Sequence, residues 1–209
     1  MNTSHATRQR RVTAMIGAAL LAAIVIGSIV VISQQSSVPA SASTPVVSDG
    51  ALPGGGPVGE ADGKIDEADR ISVFDGTPAV SKLDPALLAA VQAAAVDAEA
   101  DGIRVHVNSG WRSPAYQEAL LADAIAKYGS AEEAARWVAT PERSEHVSGD
   151  AVDLGPVDAQ DWLSRHGSRY GLCQIYENEP WHFELRPGAV ANGCPIMYAD
   201  PTADPRVDR

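Results

Sequence analysis

Cysteine and positive charge are the two features that this sequence has least of. Only Cys173 and Cys194 occur among its 209 residues, and without a Cys-x-x-Cys spacing they do not indicate a thiolate metal site. Sixteen Lys and Arg residues face 27 Asp and Glu residues, which gives a net charge of −11. A surface of this charge repels phosphate backbones and anionic lipid head groups, so nucleic acid is excluded as an expected partner. The length suits one ordinary domain with extensions.

The N-terminal part contains the longest uncharged stretch of the chain. Residues 12–32 are mostly apolar, and Arg8, Arg10 and Arg11 precede them. About 20 apolar residues suffice for a transmembrane helix, and the arginines should keep residues 1–11 in the cytoplasm. The alternative is a signal peptide cleaved after Ala40-Ser41-Ala42, although the apolar run exceeds the ~7–15 residues of an ordinary signal sequence. Both interpretations place the following domain outside the cytoplasm.

The two cysteines are predicted to pair. An even number of cysteines in an exported chain usually forms disulfides. Closing a loop of about twenty residues between Cys173 and Cys194 would contribute roughly 3 kcal/mol of stability in the chain-entropy model. The alternative is two independent buried thiols.

The order of predicted elements indicates the fold class. A linker rich in Ser, Pro and Gly is expected over residues 33–63, a folded domain over 64–198, and a disordered tail over 199–209. Periodicity and capping signals predict helices near 85–100, 114–128, 131–138 and 158–166, and strands near 103–107, 151–154, 173–176 and 181–185. Because these elements mix without a βαβ rhythm, we expect an α+β fold in which helices flank a small antiparallel sheet.

Three residues in the second half of the chain form the set needed for a zinc site. His146 and His182 can supply imidazole nitrogens and Asp153 a carboxylate oxygen, which leaves a fourth position for water. Glu179 lies three residues before His182 and could take a proton from that water. Since Pro180 breaks regular strand pairing, Glu179 is expected to reach the site from a turn. Structural zinc sites usually have four Cys or His ligands, so a catalytic site is favoured.

Alternation along the last predicted strand assigns its residues to two faces. Trp181, Phe183 and Leu185 should face the core, whereas His182 and Glu184 should face the site. The remaining histidines of the predicted domain, His106 and His166, are interpreted as core or surface residues. A lone histidine is more often one of these than a metal ligand.

The spacing of these residues resembles a known family. Ser144-x-His146-x-x-Gly149-x-Ala151-x-Asp153, followed by Glu179-x-x-His182, resembles the zinc D-alanyl-D-alanine carboxypeptidases of the VanY type. That family belongs to a wider group with the VanX-type dipeptidases and the hedgehog signalling domain. An upstream block, Ser109-Gly110-Trp111-Arg112-Ser113 with Gln117, looks like the family's other element, although the family often has Tyr where this chain has Trp111. The three blocks span roughly residues 83–195.

The resemblance implies a fold and a role for each matching residue. It implies a hedgehog/DD-peptidase-like fold and one Zn²⁺ per chain, held by His146, Asp153 and His182, with Glu179 as the catalytic base. Arg112 would lie near the scissile carbonyl or the substrate carboxylate, as the planar guanidinium fork suits. Gln117 and Ser144 would bind the end of the substrate. Open alternatives are a surface salt bridge for Arg112, a solvated helix residue for Gln117 and a turn or cap hydroxyl for Ser144.

The implied activity is hydrolysis of the C-terminal D-alanine from peptidoglycan stem peptides. Pocket shape decides between this reaction and L,D-carboxypeptidase, dipeptidase or endopeptidase activity, so these alternatives stay open. A zinc-containing module that binds the cell wall without turnover is a further alternative of another class. The expected location is the bacterial cell membrane, with one span and an extracytoplasmic catalytic domain, or the exterior after signal cleavage.

Overall fold

The computed structural model describes residues 57–66 and 68–208. The predicted cytoplasmic tail, the span at 12–32 and the linker up to residue 56 lie outside these residues. Within the described ranges, no helix combines the length and apolar character that crossing a membrane requires.

A five-stranded antiparallel sheet lies at the centre of the domain. Its order is β1-β2-β3-β5-β4, and each neighbouring pair of strands is antiparallel. The strands are β1 (Ile71–Ser72), β2 (His106–Ser109), β3 (Ala151–Gly155), β4 (Leu172–Gln174) and β5 (His182–Leu185). The predicted α+β class with a small antiparallel sheet is therefore confirmed.

Helices accompany the sheet, and side-chain caps begin the two longest of them. The helices are α1 (Pro78–Ser81), α2 (Pro85–Ala100), α3 (Pro114–Tyr128), α4 (Ala131–Ala134), α5 (Glu145–Ser148), α6 (Val157–His166) and α7 (Ala189–Asn192). The Asp84 carboxylate accepts hydrogen bonds from the Ala86 and Leu87 amides at the start of α2, and the Ser113 hydroxyl caps α3 through the Tyr116 amide. These caps occupy amides that a helix leaves without internal partners.

The hydrophobic core fills one face of the sheet. Val107, Val152, Leu154 and Phe183 point to this face from three central strands. They pack against buried residues of α2 and α6, which include Leu87, Val91, Ala94, Ala98, Trp162 and Leu163. Fully burying side chains of this size contributes about 1.5–3 kcal/mol each. Because strand residues alternate, the residues between the core positions point to the opposite face, where the candidate site lies.

Several short elements differ from the sequence-based expectations. Strand β2 lies at His106–Ser109 rather than 103–107, and the helix predicted to reach residue 138 ends at Ala134. Strand β1 and helices α1, α5 and α7 have only two to four residues each, too few for a periodic pattern. Trp181 was expected to face the core but is 36% exposed. It precedes β5, so the alternation of side chains between the two faces of the strand does not extend to it.

Both predicted boundaries of the folded domain need correction. Residues 60–62, assigned to the linker, form a 3₁₀ turn in which Asp62 accepts hydrogen bonds from the amide and hydroxyl of Ser113. At the other end, residues 199–208 are not a disordered tail, because they form 3₁₀ turns at Pro201–Ala203 and Pro205–Asp208. The carboxylates of Asp200 and Asp204 are buried there and hydrogen-bonded. Polar contacts order this segment, and the pattern of apolar residues in the sequence cannot predict such contacts.

The predicted disulfide between Cys173 and Cys194 is present. It joins β4 to the chain after α7 across a separation of 21 residues. We predict that Cys194→Ser lowers the free energy of unfolding by about 3 kcal/mol, because the reduced unfolded chain is less constrained. Denaturant titration measures this loss. A reductant should destabilise the wild type by a similar amount and leave the variant unchanged, and equal stabilities without reductant would contradict the prediction.

Candidate active site

Two histidines and an aspartate meet on the face of the sheet opposite the core. His146 comes from α5, Asp153 from β3 and His182 from β5, and one donor atom from each lies within 4.8 Å of the others. Asp153 Oδ1 is 3.4 Å from His146 Nε2 and 3.3 Å from His182 Nδ1. We call these three residues the donor cluster.

Strand register creates most of the donor cluster. Asp153 lies directly opposite His182 on β5 and opposite Ser109 on β2, so the three side chains form one row across the sheet. His146 reaches the row because α5 is followed by Gly149, whose φ of +88° turns the chain sharply into β3. A Cβ at Gly149 would lie 2.7 Å from the Lys82 carbonyl oxygen, so a larger residue does not fit this turn.

Outer hydrogen bonds orient both imidazoles toward a common point. His146 Nδ1 lies 2.8 Å from the Gly110 carbonyl oxygen, which only accepts, so Nδ1 donates and Nε2 presents its lone pair. His182 Nε2 lies 3.3 Å from Glu184 Oε1, which leaves Nδ1 facing the cluster. Among the residues that the structure describes, the buried atoms Asp153 Oδ1 and His182 Nδ1 have no hydrogen-bond partner. Since buried polar atoms are normally satisfied, these two fit a cation bound between them.

The charge states of the cluster agree with this interpretation. Burial raises the pKa of Asp153, but His146, His182 and Arg112 together hold it well below its ordinary value, so Asp153 is an anion. Burial, followed by the positive charge of Arg112, lowers the pKa of His146, which keeps this imidazole neutral. Burial lowers the pKa of His182, but the carboxylates of Asp153 and Glu184 outweigh it and raise that pKa to about 10. A metal ion would therefore displace a proton from His182 on binding.

A second carboxylate lies beside the cluster. Glu179 precedes Pro180 in the turn before β5, and its Oε2 is 3.7 Å from His182 Nδ1. The turn delivers Glu179 to the site, as the break in strand pairing at Pro180 predicted. Burial raises the pKa of Glu179 to about 7, against the lowering effect of the His182 charge. A carboxylate with a pKa near neutrality can both accept and return a proton.

Arg112 completes the charged groups of the site. Its Nη2 lies 3.0 Å from Asp153 Oδ2, its Nε donates to Ser109 Oγ at 2.9 Å, and its Nη1 donates to Gln117 Oε1 at 3.1 Å. The side chain remains 14% exposed toward the cleft described below. Arg112 therefore makes buried polar contacts, rather than the surface salt bridge that was the alternative.

The other two predicted substrate contacts have different surroundings. Gln117 is fully buried, and its amide nitrogen donates to the Ala139 carbonyl at 2.8 Å while its oxygen accepts from Arg112. These contacts orient Arg112, and a direct substrate contact stays a prediction. Ser144 is buried at the start of α5 and, within the described part of the chain, makes no side-chain cap there. His106 and His166 lie apart from the cluster, against Arg70 and Trp162 respectively.

The donor cluster lies in a cleft with a volume of about 440 Å³. Its wall includes Arg112 and Glu179 together with three aromatic residues that the sequence reasoning did not single out for the site: Tyr128, Tyr176 and Trp137. The rings of Tyr128 and Trp137 stack at 5.8 Å, and Trp137 is 37% exposed. Helical periodicity identifies apolar faces but does not show which ring borders a cleft built from several elements. A larger cavity of about 840 Å³ contains none of the predicted site residues.

The site combines two imidazoles and a carboxylate with a second carboxylate and a guanidinium beside them. This combination is typical of metal-dependent hydrolases. The family model of VanY, D-alanyl-D-alanine carboxypeptidase, matches residues 80–187, just over half of the chain. The chain belongs to this family. The match contains the whole donor cluster, Glu179 and Arg112.

Individual relatives resemble the chain over part of its length. A D-alanyl-D-alanine carboxypeptidase of Enterococcus faecalis is 32% identical over 111 residues, which cover 41% of this chain and 41% of that protein. The chain thus matches less than half the length of this curated relative. Two solved structures are each 27% identical with a TM-score of 0.47: a mutant of the vancomycin-resistance D,D-pentapeptidase VanY in complex with Zn(II), and VanYB in complex with D-alanine-D-alanine. Each covers 49% of this chain, which spans 72% and 71% of them.

Proposed function

We propose that this protein is a zinc-dependent carboxypeptidase that removes the C-terminal D-alanine from peptidoglycan stem peptides. The observation that carries the proposal is the convergence of His146, Asp153 and His182, with donor atoms within 4.8 Å of one another, at the base of an open cleft. Membership of the VanY family supplies the expected bond and substrate class.

The residues of the cluster fit zinc. Two imidazoles and one carboxylate are a usual set of protein ligands for a catalytic zinc, which would keep a fourth position for water. A cation held between the two buried unpartnered atoms, Asp153 Oδ1 and His182 Nδ1, would give each of them a partner. Zinc at this point would supply a Lewis acid that polarises the scissile carbonyl and acidifies water.

The remaining residues of the site position the substrate and move its protons. Arg112 faces the cleft with a rigid donor fork, which suits the terminal carboxylate of a peptide or the oxyanion that forms during attack. Gln117 and Ser109 hold that fork in place. Glu179 takes the proton from the attacking water and passes it to the amine of the departing D-alanine.

A hydrolysis assay with product analysis tests the proposed function. We expect the metal-loaded protein to release D-alanine from a stem pentapeptide ending in D-Ala-D-Ala, to lose this activity on exhaustive chelation, and to regain it with Zn²⁺. Tetrapeptide, D-Ala-D-Ala dipeptide and cross-linked stems distinguish the L,D-carboxypeptidase, dipeptidase and endopeptidase alternatives. Undiminished hydrolysis after chelation would overturn the zinc mechanism, and peptide binding without any product would favour a binding module.

The stacked pair of Tyr128 and Trp137 is proposed to form a wall for the part of the peptide upstream of the cleaved bond. We predict that Trp137→Ala raises KM about 2- to 10-fold, the equivalent of losing one aromatic contact of about 0.5–1.5 kcal/mol. The value of kcat should change little, because Trp137 stacks on Tyr128 and supplies no donor atom to the cluster. Phe74→Ala, at an exposed aromatic of the other cavity, is the matched control. An unchanged KM in Trp137→Ala would contradict this role.

The N-terminal residues are proposed to anchor the domain on the outer side of the cell membrane. The support is the 21-residue apolar run at 12–32 behind three arginines. We predict that the full chain stays in the membrane fraction after alkaline extraction and keeps its intact N-terminus. A shortened chain in the medium, beginning just after Ala42, would instead indicate a cleaved signal peptide.

A further inference from the structure

The C-terminal 3₁₀ turn brings Arg206 against the carboxylate that orients a predicted zinc ligand. Arg206 Nη1 lies 2.8 Å from Glu184 Oε2, and Arg206 Nη2 lies 3.5 Å from Glu184 Oε1. Glu184 is only 1% exposed, so its carboxylate depends on protein partners for compensation. Arg206 supplies this compensation from outside the stretch matched by the family, which ends at residue 187.

Glu184 connects Arg206 to the donor cluster. Its Oε1 is 3.3 Å from His182 Nε2, and its Oε2 accepts from Arg206 and also from Arg186. The imidazole therefore lies against Oε1, which also has the longer 3.5 Å contact with Arg206, whereas Oε2 accepts the shorter hydrogen bonds from both arginines. Because the arginines fix the Glu184 carboxylate, its Oε1 accepts the Nε2–H of His182 from one direction. This hydrogen bond orients the imidazole ring so that Nδ1 points toward the donor cluster.

The chain around Arg206 is itself fixed by polar contacts. Asp204 is buried and accepts hydrogen bonds at 2.9 Å from both the backbone amide and the Nε of Arg206. The Tyr176 hydroxyl also donates to Asp204, and Asp200 accepts from Arg136 Nε at 2.9 Å. Pro201, between these two aspartates, borders the cleft. The segment 200–206 is therefore held firmly enough to present Arg206 in one place.

We propose that Arg206 is a positioning residue of the zinc site, acting through Glu184 to fix the ring of His182 for metal binding. This inference rests on the proposed function, since it assigns a role within the same site. In this proposal, residues 200–206 belong to the structure that orients the zinc ligands. If the ion pairs of Arg206 served only to attach the C-terminal segment to the domain, their loss would leave the zinc affinity unchanged.

Zinc affinity of the full-length metal-free protein, measured by competition with a chelating dye, tests the proposal. Replacing an outer partner of a metal ligand typically weakens binding about 10- to 100-fold, and we expect about 10-fold for Arg206→Ala because Arg186 remains. Arg206→Lys should recover part of the loss. Arg165→Ala, at an exposed arginine of α6, is the matched control and should bind zinc as the wild type does.

A double-mutant cycle separates positioning from general stabilisation. If Arg206 acts through Glu184, then Arg206→Ala should add little to the loss already caused by Glu184→Gln. Wild-type zinc affinity in Arg206→Ala, or two independent losses that multiply in the double variant, would overturn the proposal. Should Arg206→Ala fail to fold, the comparison of Arg206→Lys with and without Glu184→Gln provides the same test. Failure of the wild type to bind zinc would instead overturn the proposed function, and this inference with it.

Discussion

Replacing Glu179 by glutamine is expected to reduce kcat about 10²- to 10⁴-fold while leaving the zinc content unchanged, the range by which a positioned general base contributes to catalysis. Glutamine keeps the size of the side chain but cannot accept a proton. The Glu179 carboxylate lies 3.7 Å from His182 and contributes no atom to the donor cluster itself. Metal binding and proton transfer should therefore separate in this variant, and KM should stay close to that of the wild type.

The neighbouring residue Glu177 provides the matched control. It lies in the same turn but is exposed, so Glu177→Gln removes an equal charge away from the cluster and should retain full activity. Steady-state kinetics on the pentapeptide and metal analysis of the same samples measure both properties. Near-normal turnover by Glu179→Gln would assign the base to another group, and loss of zinc would make Glu179 a fourth ligand.

The sequence predicted that His146, Asp153 and His182 converge, because a metal site depends on a few residues of specific types. Imidazole and carboxylate side chains at the spacing of His146, Asp153 and His182 have few other common uses together. Helices α2 and α3 could also be predicted from the sequence, since each begins with a capping residue followed by a proline in the first turn. Sequence rules predicted an element correctly where all the residues that determine it lie in one short segment.

Non-local geometry accounts for what the sequence did not predict. The pairing of Asp153 with His182 and Ser109 is a matter of strand register, and Arg112 finds Gln117 and Asp153 only after folding. The segment 199–208 has no apolar periodicity, and its order comes from ion pairs with residues more than twenty positions away. The composition of this segment indicated disorder because a segment rich in charged residues has little apolar surface to bury. In the structure, Asp200 and Asp204 are nevertheless buried, each with specific hydrogen-bond partners.

Loss of a ligand should have a larger effect than loss of the base, because it removes the metal as well. We predict that His182→Ala abolishes zinc binding at micromolar concentrations together with hydrolysis, exceeding the about 10- to 100-fold cost typical of an outer partner. His182 supplies one of only three donor atoms in the cluster and contacts both Asp153 and Glu179. His166→Ala removes an imidazole that packs on Trp162 outside the site, so this control should keep one zinc and full activity. Mass spectrometry under native conditions gives the stoichiometry, and circular dichroism establishes that both variants are folded. One zinc per chain at wild-type affinity in His182→Ala would mean that the three side chains meet for another reason, and the zinc assignment would fall with it.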